Sequence, residues 1–286
     1  MSKYTIGIIG GGFVGSATYL LNCKDIKCKI YDLDETKCVP QGTKLEDLED
    51  CDVIFICVPT PMKRDRSCYT GIVENVIKQV KNQFPTKTNI VVRSTVPVGF
   101  SKLHGVHFMP EFLTEGNWKE DFYLCINWII GVNEELEGNQ EFKKMMNDIF
   151  IVAQRNDVVY HTHSSFYTTS EAEMIKYFRN AFLATKVGFC NEIYRFCEAS
   201  NLDYTKIIRA SCGDTRIGGS HTMVPGPDKR YGFGGTCLPK DINSLQQQFI
   251  QKNIDCPIIA SVVRRNEEID RPELDWLQDE GRAFIQ

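Results

Sequence analysis

The amino-acid sequence predicts an α/β fold, with an N-terminal doubly wound sheet followed by a smaller, all-helical domain. Three observations lead to this prediction. The first part of the chain alternates short β-branched runs with helical patterns, which is typical of βαβ units. A glycine-rich turn follows the first of these runs, and a helical pattern of about 30 residues begins near residue 170.

Six short segments are predicted to be strands, because they are rich in apolar and β-branched residues and end at turn-forming residues. In chain order they are YTIGIIG, KCKIYDL, DVIFICVP, TNIVVRST, NWIIGV and DIFIVA. Helical patterns alternate with these runs, so the sequence predicts a parallel sheet joined by crossover helices.

The long helix is predicted over residues 170–199. Ser170 and Glu173 have the spacing of a capping box, and apolar residues recur at helical intervals after them. A helix of this length after a sheet marks a boundary, which gives predicted domains at residues 1–166 and 167–286. The final segment, RPELDWLQDEGRAFIQ, predicts one short closing helix.

Composition and charge argue against several classes of protein. A net charge of −4 gives no electrostatic reason to expect binding to nucleic acid. No stretch has the apolar length needed to cross a bilayer, and the N-terminus MSKYTIGIIGG lacks the layout of a signal peptide. The twelve cysteines are scattered without a CxxC pair, as expected of thiols in a reducing compartment. We therefore expect a cytoplasmic protein that binds neither nucleic acid nor membranes.

The histidines and cysteines do not predict a metal site. His161 and His163 are near neighbours among five histidines, but no nearby residues complete the ligand set of a zinc ion. No metal ion is therefore expected.

The segment GIIGGGFVGSA places Gly10, Gly12 and Gly15 in GxGxxG spacing between a predicted strand and a predicted helix. In a dinucleotide-binding turn these glycines permit the tight turn, the approach of the backbone to the pyrophosphate, and the packing of helix on strand. Asp32 ends the next strand, where a carboxylate accepts a hydrogen bond from the ribose 2′-hydroxyl and repels a 2′-phosphate. The sequence thus predicts a Rossmann domain that binds NAD rather than NADP; a glycine turn of another α/β fold is the alternative.

Candidate chemical groups lie in four further segments. VPTP (58–61) and RSTVPVG (93–99) follow predicted strands, at the carboxyl edge where doubly wound sheets bind ligands. MPEFLTEG (109–116) carries two glutamates, and YGFGGTCLPKD (231–241) places Cys237 after a glycine-rich turn. The first two segments are expected to line a ligand site.

Lys176 and Asn180 lie four residues apart on the predicted long helix and therefore share one face. If that face meets the loop of Cys237, an ammonium and an amide converge beside the thiol. Taken singly, each candidate group also has an ordinary explanation, as a solvated side chain, a cap, a turn residue or a structural thiol.

In their order along the chain, the motifs resemble those of the UDP-glucose/GDP-mannose dehydrogenase family. The resemblance covers about residues 4–270 and rests on GIIGGGFVG, VPTP, RSTVPVG, PEFLTEG, AEMIKYFRNAFLA, DTRIG, GFGGTCLPKD and RRNEEID. It implies NAD as cofactor, a helical domain that forms a homodimer through the long helix, and two successive oxidations of a nucleotide-sugar C6 alcohol to an acid. UDP-glucose is the first expected substrate. GDP-mannose, a UDP-amino sugar, or a catalytically idle NAD-binding regulatory role are the alternatives.

Carried over position by position, the resemblance implies a role for each site residue. Catalytic roles fall to Cys237 as nucleophile, Lys176 and Asn180 as the oxyanion-stabilising pair, Glu111 as general base, and Thr95 and Asp241 as groups that handle water. The NAD site is expected to comprise Gly10, Gly12, Phe13, Val14, Gly15, Asp32, Lys37, Val58, Pro59, Thr60, Thr95 and Glu115. The sugar-nucleotide site is expected to comprise Phe112, Leu113, Lys176, Asn180, Phe233 and Gly234, with Arg216 reaching into the neighbouring subunit's site.

A cysteine suits this chemistry because an aldehyde has no alkoxide from which a second hydride can leave. Thiolate addition creates that alkoxide, as a thiohemiacetal whose negative oxygen needs stabilising donors. Hydride loss then leaves a thioester, which activated water hydrolyses to the acid.

The family carries a second Rossmann-like domain after the helical one, which binds much of the uridine diphosphate. Because the printed sequence ends at Gln286, we expect that domain to be missing. The loop MVPGPDKRYGFGG is longer than the usual pattern, which leads to the hypothesis that Asp228, Lys229 and Arg230 replace part of the lost phosphate contacts. A flexible, solvated loop is the alternative.

Overall fold

The computed structural model describes residues 2–114 and 116–285. Within them, one sheet contains the strands β1 (Tyr4–Ile9), β2 (Ile26–Tyr31), β3 (Val53–Ile56), β4 (Ile90–Val92), β5 (His107–Phe108), β6 (Trp128–Val132) and β7 (Ser164–Thr168). Their order across the sheet is β2-β1-β3-β4-β5-β6-β7. Every neighbouring pair is parallel except β5 and β6, which are antiparallel.

Nine α-helices lie within the described residues. They are α1 (Phe13–Tyr19), α2 (Gly71–Gln83), α3 (Phe100–Leu103), α4 (Trp118–Tyr123), α5 (Asn139–Arg155), α6 (Thr169–Ala199), α7 (Tyr204–Ser211), α8 (Leu238–Gln251) and α9 (Pro257–Arg265). Short 3₁₀ turns occupy Glu35–Lys37, Leu45–Leu48 and Asp275–Gln278, and a π-helical turn occupies Asn266–Asp270. Helix α6 confirms the predicted long helix.

Helices cover both faces of the sheet. Along β3, Val53 and Phe55 pack into one apolar cluster with residues of α1 and α5, while Ile54 and Ile56 pack into another with residues of α2. Successive side chains of a strand point to opposite faces, so a strand buried on both sides is apolar throughout. The predicted fold class, an α/β doubly wound sheet followed by helices, is confirmed.

One strand prediction is wrong, because DIFIVA lies within helix α5. Phe142, Met146, Ile149 and Ala153 are buried at helical spacing along this helix. A short apolar run does not by itself distinguish a buried strand from the buried face of a helix. The residues of α5 that precede this run already follow the helical period, so the run continues the helix.

The sequence does not predict β5 or β7. Strand β5 has two residues, which is too short for any alternation to be visible. Strand β7 has the sequence SSFYT and lies at the edge of the sheet, with no residue fully buried. Its residues are mostly polar and none is fully buried, so β7 lacks the apolar signal on which the prediction of strands depends.

Both ends of the helical part differ from prediction. At the start of α6, the reciprocal capping pair is Thr168 with Glu171: Thr168 N donates to Glu171 Oε2 (2.8 Å), and Glu171 N donates to Thr168 Oγ1 (3.3 Å). The predicted pair, Ser170 and Glu173, lies two residues further along the chain, and Glu173 is buried. At the C-terminus, the predicted closing helix is reduced to the 3₁₀ turn at Asp275–Gln278.

By the density of internal contacts the chain divides into two units. The first comprises Met1–Thr60 and Thr70–Lys176, and the second comprises Pro61–Tyr69 and Tyr177–Gln286. Backbone hydrogen bonds connect the segment Pro61–Tyr69 to the C-terminal residues of the second unit. Met62 N donates to Ala283 O (2.9 Å), and Ile285 N donates to Met62 O (2.9 Å). The predicted boundary between residues 166 and 167 stays a prediction.

No helix in the described part of the chain combines the length and apolarity that a bilayer span requires. All twelve cysteines lie within the described residues, and none is in a disulfide bond. In the same residues, no three or more His, Cys, Asp and Glu side chains are grouped so that they could hold a metal ion.

Candidate active site

The glycine turn has the geometry of a dinucleotide-binding turn. Gly10 has φ +99°, and a Cβ on it would lie 2.7 Å from Cys57 O. A Cβ on Gly15 would lie 1.8 Å from Gly10 O, so helix α1 packs against the turn only because this residue is glycine. Gly12 is exposed, and a Cβ on it would meet no atom within 4 Å. The open face at Gly12 is where the backbone can approach a pyrophosphate.

Asp32 closes this turn from the end of β2. Its Oδ2 accepts a hydrogen bond from Gly11 N (2.6 Å), and its Oδ1 accepts one from Asp34 N (2.8 Å). The half-buried carboxylate is thus fixed beside the glycines, where a ribose hydroxyl can bind. Lys37 packs against Gly11, and its ammonium pairs with Asp34 (3.2 Å). These residues fit NAD.

Glu173 fixes the loop RSTVPVG. Its carboxylate accepts hydrogen bonds from Gly99 N (2.6 Å) and Ser101 N (2.8 Å), and the side chain is buried. Burial raises the pKa of Glu173 to about 7, because the two hydrogen bonds only partly offset the cost of burying its charge. The loop that carries Thr95 is therefore attached to helix α6 through a carboxyl group that titrates near neutrality.

We expect Glu173→Gln to change how stability depends on pH. The pKa is raised from 4.5 to about 7 on folding, so the folded state binds more protons within that window. The free energy of unfolding of the natural chain therefore falls as pH rises through the window. Relative to the natural chain, Glu173→Gln should gain about 2 kcal/mol between pH 5 and pH 8. Urea unfolding at several pH values measures this difference.

The matched control is Glu171→Gln, which removes an exposed carboxylate from the same helical turn. Hydrogen bonds from Thr168 lower the pKa of Glu171, so its stability difference should not rise with pH over this range. Parallel pH curves for Glu173→Gln and the natural chain would show that Glu173 does not titrate as described.

Lys176 and Glu111 form a buried ion pair in the first unit. Lys176 Nζ lies 2.8 Å from Glu111 Oε1 and donates a second hydrogen bond to Glu111 O (2.6 Å). The other carboxylate oxygen, Oε2, accepts a hydrogen bond from Leu113 N (2.9 Å). Burial alone raises the pKa of Glu111, but the charge and hydrogen bond of Lys176 outweigh it and hold the pKa below its usual value. Glu111 is therefore a carboxylate at neutral pH.

Two residues that are predicted to bind the substrate, Phe112 and Leu113, contact this ion pair. The Phe112 ring has the Lys176 ammonium 5.5 Å from its centroid, within range of a cation–π contact. Leu113 contributes its backbone N–H to Glu111, as described above. Glu115 lies outside the described residues.

Cys237 immediately precedes helix α8 in the second unit. Asp241 N donates to Cys237 O (2.9 Å), which makes Cys237 the first residue of the helical hydrogen-bond pattern. Pro239 at the second helical position suits the start of a helix, because its missing N–H has no intrahelical partner there. The glycine-rich turn and the start of α8 thus leave Cys237 half-exposed.

Asp241 is the centre of a buried polar group. It accepts a hydrogen bond from Asn180 Nδ2 (2.6 Å) and forms an ion pair with Lys240. Burial lowers the pKa of Lys240, but the charge of Asp241 and smaller contributions from Cys68 and Cys237 outweigh burial and raise it. A permanently charged ammonium therefore lies within electrostatic range of the Cys237 thiol.

The site residues thus fall into two groups. Glu111 and Lys176 form one pair within the first unit, and Asn180 and Asp241 form another within the second. Lys176 and Asn180 are one turn apart on the continuous helix α6, as the spacing predicts. Arg216 is exposed and pairs with its own Asp214, through Nε to Oδ1 (3.0 Å).

Sequence reasoning missed Arg93, the first residue of RSTVPVG. Arg93 is buried, and its Nη1 donates to Thr18 Oγ1 (2.9 Å) on helix α1. Burial lowers the pKa of this guanidinium, while the nearby Cys57 thiol and Glu111 carboxylate act in the opposite direction. The signal that could have indicated this link between helix α1 and the loop RSTVPVG was a charged residue at the end of an apolar strand.

In the loop that is hypothesised to bind phosphate, two of the charged side chains form ion pairs within the chain. Arg230 pairs with Asp275 (2.9 Å) and Glu273 (3.3 Å), and Asp228 pairs with Arg271 (2.6 Å). Two of the three residues proposed to contact phosphate therefore bind the C-terminal segment of the chain. Lys229 is exposed, with φ +63°.

Two family models match most of the chain. The NAD binding domain of the UDP-glucose/GDP-mannose dehydrogenase family matches residues 39–152, and the central domain of the same family matches residues 170–268. The chain belongs to this family. The first match also confirms the prediction of NAD as the cofactor, which agrees with the glycine turn and Asp32.

Named relatives of this UDP-glucose/GDP-mannose dehydrogenase family member include two bacterial proteins called UDP-glucose 6-dehydrogenase. The one from Rickettsia bellii (strain RML369-C) is 33% identical over 240 residues, covering 80% of this chain and 52% of the relative. The one from Campylobacter jejuni subsp. jejuni serotype O:2 (strain ATCC 700819 / NCTC 11168) is 29% identical over 300 residues, covering 92% and 72%. The chain spans about half the length of several curated relatives that it matches.

Among solved structures, a UDP-glucose dehydrogenase from the hyperthermophilic archaeon Pyrobaculum islandicum is similar to this family member. The TM-score is 0.78 at 24% sequence identity, covering 92% of this chain and 68% of that chain. At this level of identity the likeness shows a shared fold.

Proposed function

We propose that the chain catalyses the NAD-dependent oxidation of UDP-glucose at C6, through an aldehyde, to UDP-glucuronate. Relatives at 29% and 33% identity that are named UDP-glucose 6-dehydrogenase support this substrate. The observation that carries the proposal is the buried ion pair between Lys176 and Glu111. Burying two opposite charges is costly. Here the buried ammonium can stabilise the oxygen of an alcohol during oxidation, and the buried carboxylate can act as the base in hydrolysis of a thioester.

The first oxidation transfers a proton from the C6 hydroxyl to water in the site and removes a hydride from C6. Lys176 stabilises the oxygen as its proton leaves, because an ammonium held in a buried site favours a developing negative charge. Bound NAD⁺ supplies the acceptor for the hydride that leaves C6 in each oxidation. The product of this step is the C6 aldehyde.

The second oxidation begins with the Cys237 thiolate. Its sulfur forms a bond to C6 of the aldehyde, and the carbonyl electron pair moves to oxygen, which gives a thiohemiacetal anion. Lys176 and Asn180 stabilise this oxygen as hydrogen-bond donors. Loss of the second hydride restores the carbonyl group and leaves a thioester on Cys237.

Hydrolysis completes the reaction. Glu111 acts as general base and takes a proton from water, with Thr95 and Asp241 orienting that water, while the new carbon–oxygen bond replaces the carbon–sulfur bond. Cys237 leaves as thiolate, ready for the next cycle. One alcohol and one water thus become one carboxylate, with two hydrides and three protons released.

Substrate choice is tested with a panel of nucleotide sugars. NADH formation is followed by its absorbance with UDP-glucose, GDP-mannose and a UDP-N-acetyl amino sugar at equal concentrations. We expect the highest kcat/KM for UDP-glucose. A higher value for GDP-mannose would transfer the proposed chemistry to the other substrate named in the family, and no NADH with any sugar would support an idle NAD-binding protein.

A second copy of this chain is the proposed partner. Phe182, Phe189 and Phe196 recur every seven residues along α6 and are 59%, 64% and 65% exposed. Phe178, 63% exposed, stacks on Phe182 with 6.2 Å between ring centroids. Aromatic side chains at heptad spacing form a stripe that suits packing against another helix. A homodimer through α6 would bury this stripe.

We expect the double variant Phe182→Asp, Phe189→Asp to be monomeric in light scattering coupled to size exclusion, while the natural chain is dimeric. Charged groups in a packed apolar interface are costly, so the association constant should fall by at least about 100-fold. The matched control is Ile250→Asp, Ile258→Asp, which changes two exposed apolar residues outside α6. A dimer that survives the phenylalanine changes would show that another surface is used.

A further inference from the structure

The turn before Cys237 contains two glycines whose missing side chains are replaced by groups from the C-terminal segment. A Cβ on Gly232 would lie 2.3 Å from Asn266 Oδ1, and a Cβ on Gly234 would lie 2.3 Å from Arg271 Cζ. Both contacts are with buried side chains, so neither glycine could be replaced without displacing its neighbour. The alternating glycines of GFGG thus make room for an amide and a guanidinium.

Asn266 binds the peptide groups on both sides of Phe233. Its Oδ1 accepts a hydrogen bond from Phe233 N (2.8 Å), and its Nδ2 donates one to Phe233 O (2.9 Å). A carboxamide is suited to this because it offers one acceptor and two donors in one plane. Asn191 of α6 adds a third side-chain contact, accepting from Gly232 N (3.1 Å). The backbone of the turn is therefore held by side chains rather than by a neighbouring strand.

Arg271 contacts the same turn at Gly234, the residue after Phe233. Its guanidinium, which lies against Gly234, pairs with Asp275 through Nε to Oδ1 and Nη2 to Oδ2, both 2.7 Å. Its Nη1 donates to Asp228 Oδ2 (2.6 Å). With two carboxylates fixing its plane, the guanidinium is a rigid surface beneath the turn.

The backbone of the C-terminal segment is shaped to present both groups. Helix α9 continues into the π-helical turn Asn266–Asp270, in which Arg271 N donates to Asn266 O (2.7 Å). π-helical turns are rare and often lie at functional sites. This turn belongs to RRNEEID, a motif to which the proposed chemistry gives no role.

We propose that Asn266 and Arg271, which we call the clasp, are positioning residues that fix the Gly232–Gly234 turn and thereby set the place of the Cys237 thiol. Helix α8 holds Cys237 on its C-terminal side through Asp241 N. The clasp supplies the anchor on the N-terminal side, three residues away. A nucleophile anchored from both sides keeps its position between turnovers, which is what precise attack on an aldehyde requires.

The test uses the full chain and the variant Asn266→Asp, which keeps the acceptor for Phe233 N but replaces the donor to Phe233 O with a second acceptor. The rate of alkylation of Cys237 by iodoacetamide is measured by peptide mass spectrometry across pH, with Cys256 of the same unit as an internal reference. The role rests on the proposed function of Cys237, but alkylation needs neither sugar nor NAD. Failure of the clasp is therefore distinguishable from failure of the proposed substrate.

We expect Asn266→Asp to change the rate of Cys237 alkylation several-fold and leave that of Cys256 unchanged. The kcat with UDP-glucose should fall about 10–100-fold, as it does when a group that orients a catalytic residue is lost. The control is Asn133→Asp, which alters an equally buried asparagine whose Nδ2 donates to Ser101 O and Lys102 O. It should leave Cys237 alkylation unchanged.

Equal Cys237 alkylation in Asn266→Asp and the natural chain, both folded by circular dichroism, would overturn the proposal. A parallel change at Cys256 would overturn it as well, since it would indicate general loosening of the unit. If Asn266→Asp does not fold, Arg271→Lys is judged by the same two criteria. That variant keeps the charge but loses the planar group beneath Gly234.

Discussion

Replacing Cys237 with serine should stop the formation of uronic acid while leaving NAD binding intact. A serine hydroxyl in the same position is far less ionised than a thiol, so it cannot add to the aldehyde at a comparable rate. The rate of acid formation should fall by about 10³-fold or more, on the scale of losses seen when a catalytic nucleophile is removed. NADH formation should then end at no more than one equivalent per sugar, with aldehyde as the product. Product analysis by mass spectrometry measures both species.

The control for this change is Cys256→Ser, which alters another half-exposed cysteine of the second unit. Cys256 precedes helix α9, where serine is well tolerated as an N-cap. Its turnover should equal that of the natural chain. Uronic acid produced by Cys237→Ser at the natural rate would remove the sulfur from the proposed chemistry.

Lys176→Ala should have the second largest effect. Removal of one oxyanion donor lowers turnover by about 10²–10³-fold, or about 3 kcal/mol of transition-state stabilisation. The change also leaves the buried Glu111 carboxylate without its ammonium, which should cost about 3–5 kcal/mol of stability. Steady-state kinetics and urea unfolding measure the two effects separately, and Lys144→Ala, at an exposed position of α5, should show neither.

A double variant separates catalysis from stability at this pair. Lys176→Met combined with Glu111→Gln removes both buried charges, so it should recover most of the stability lost in Lys176→Ala. It should not recover turnover, because the donor and the base are both absent. Recovery of turnover together with stability would mean that the pair serves only to hold the fold.

Short-range patterns in the sequence were sufficient to predict five of the seven strands in the described residues, the glycine turn and the long helix. The GxGxxG spacing and Asp32 carry their own geometry, since the glycines join one strand to one helix and Asp32 follows the next strand along the chain. The placement of Lys176 and Asn180 one turn apart on α6 follows from helical spacing alone. The Rossmann sheet and the helix that follows it were therefore accessible to sequence reasoning, as was the position of Cys237 after a glycine-rich turn.

Long-range contacts were not accessible in the same way. Glu173 was interpreted as a capping residue, but it is buried and binds Gly99 and Ser101, more than 70 residues away in sequence. Asn266 binds Phe233 across 33 residues, and nothing in RRNEEID indicates that partner. The strand predicted at DIFIVA failed for the converse reason, because a short apolar run fits two periods equally well. Tertiary contacts decide such cases.

The most direct test of the proposed function is the number of NADH molecules formed for each UDP-glucose consumed at completion. Two equivalents, with UDP-glucuronate as the only sugar product, are what the two successive oxidations at Cys237 predict. One equivalent with accumulated aldehyde would contradict the thiohemiacetal step, and none would contradict the dehydrogenase activity itself.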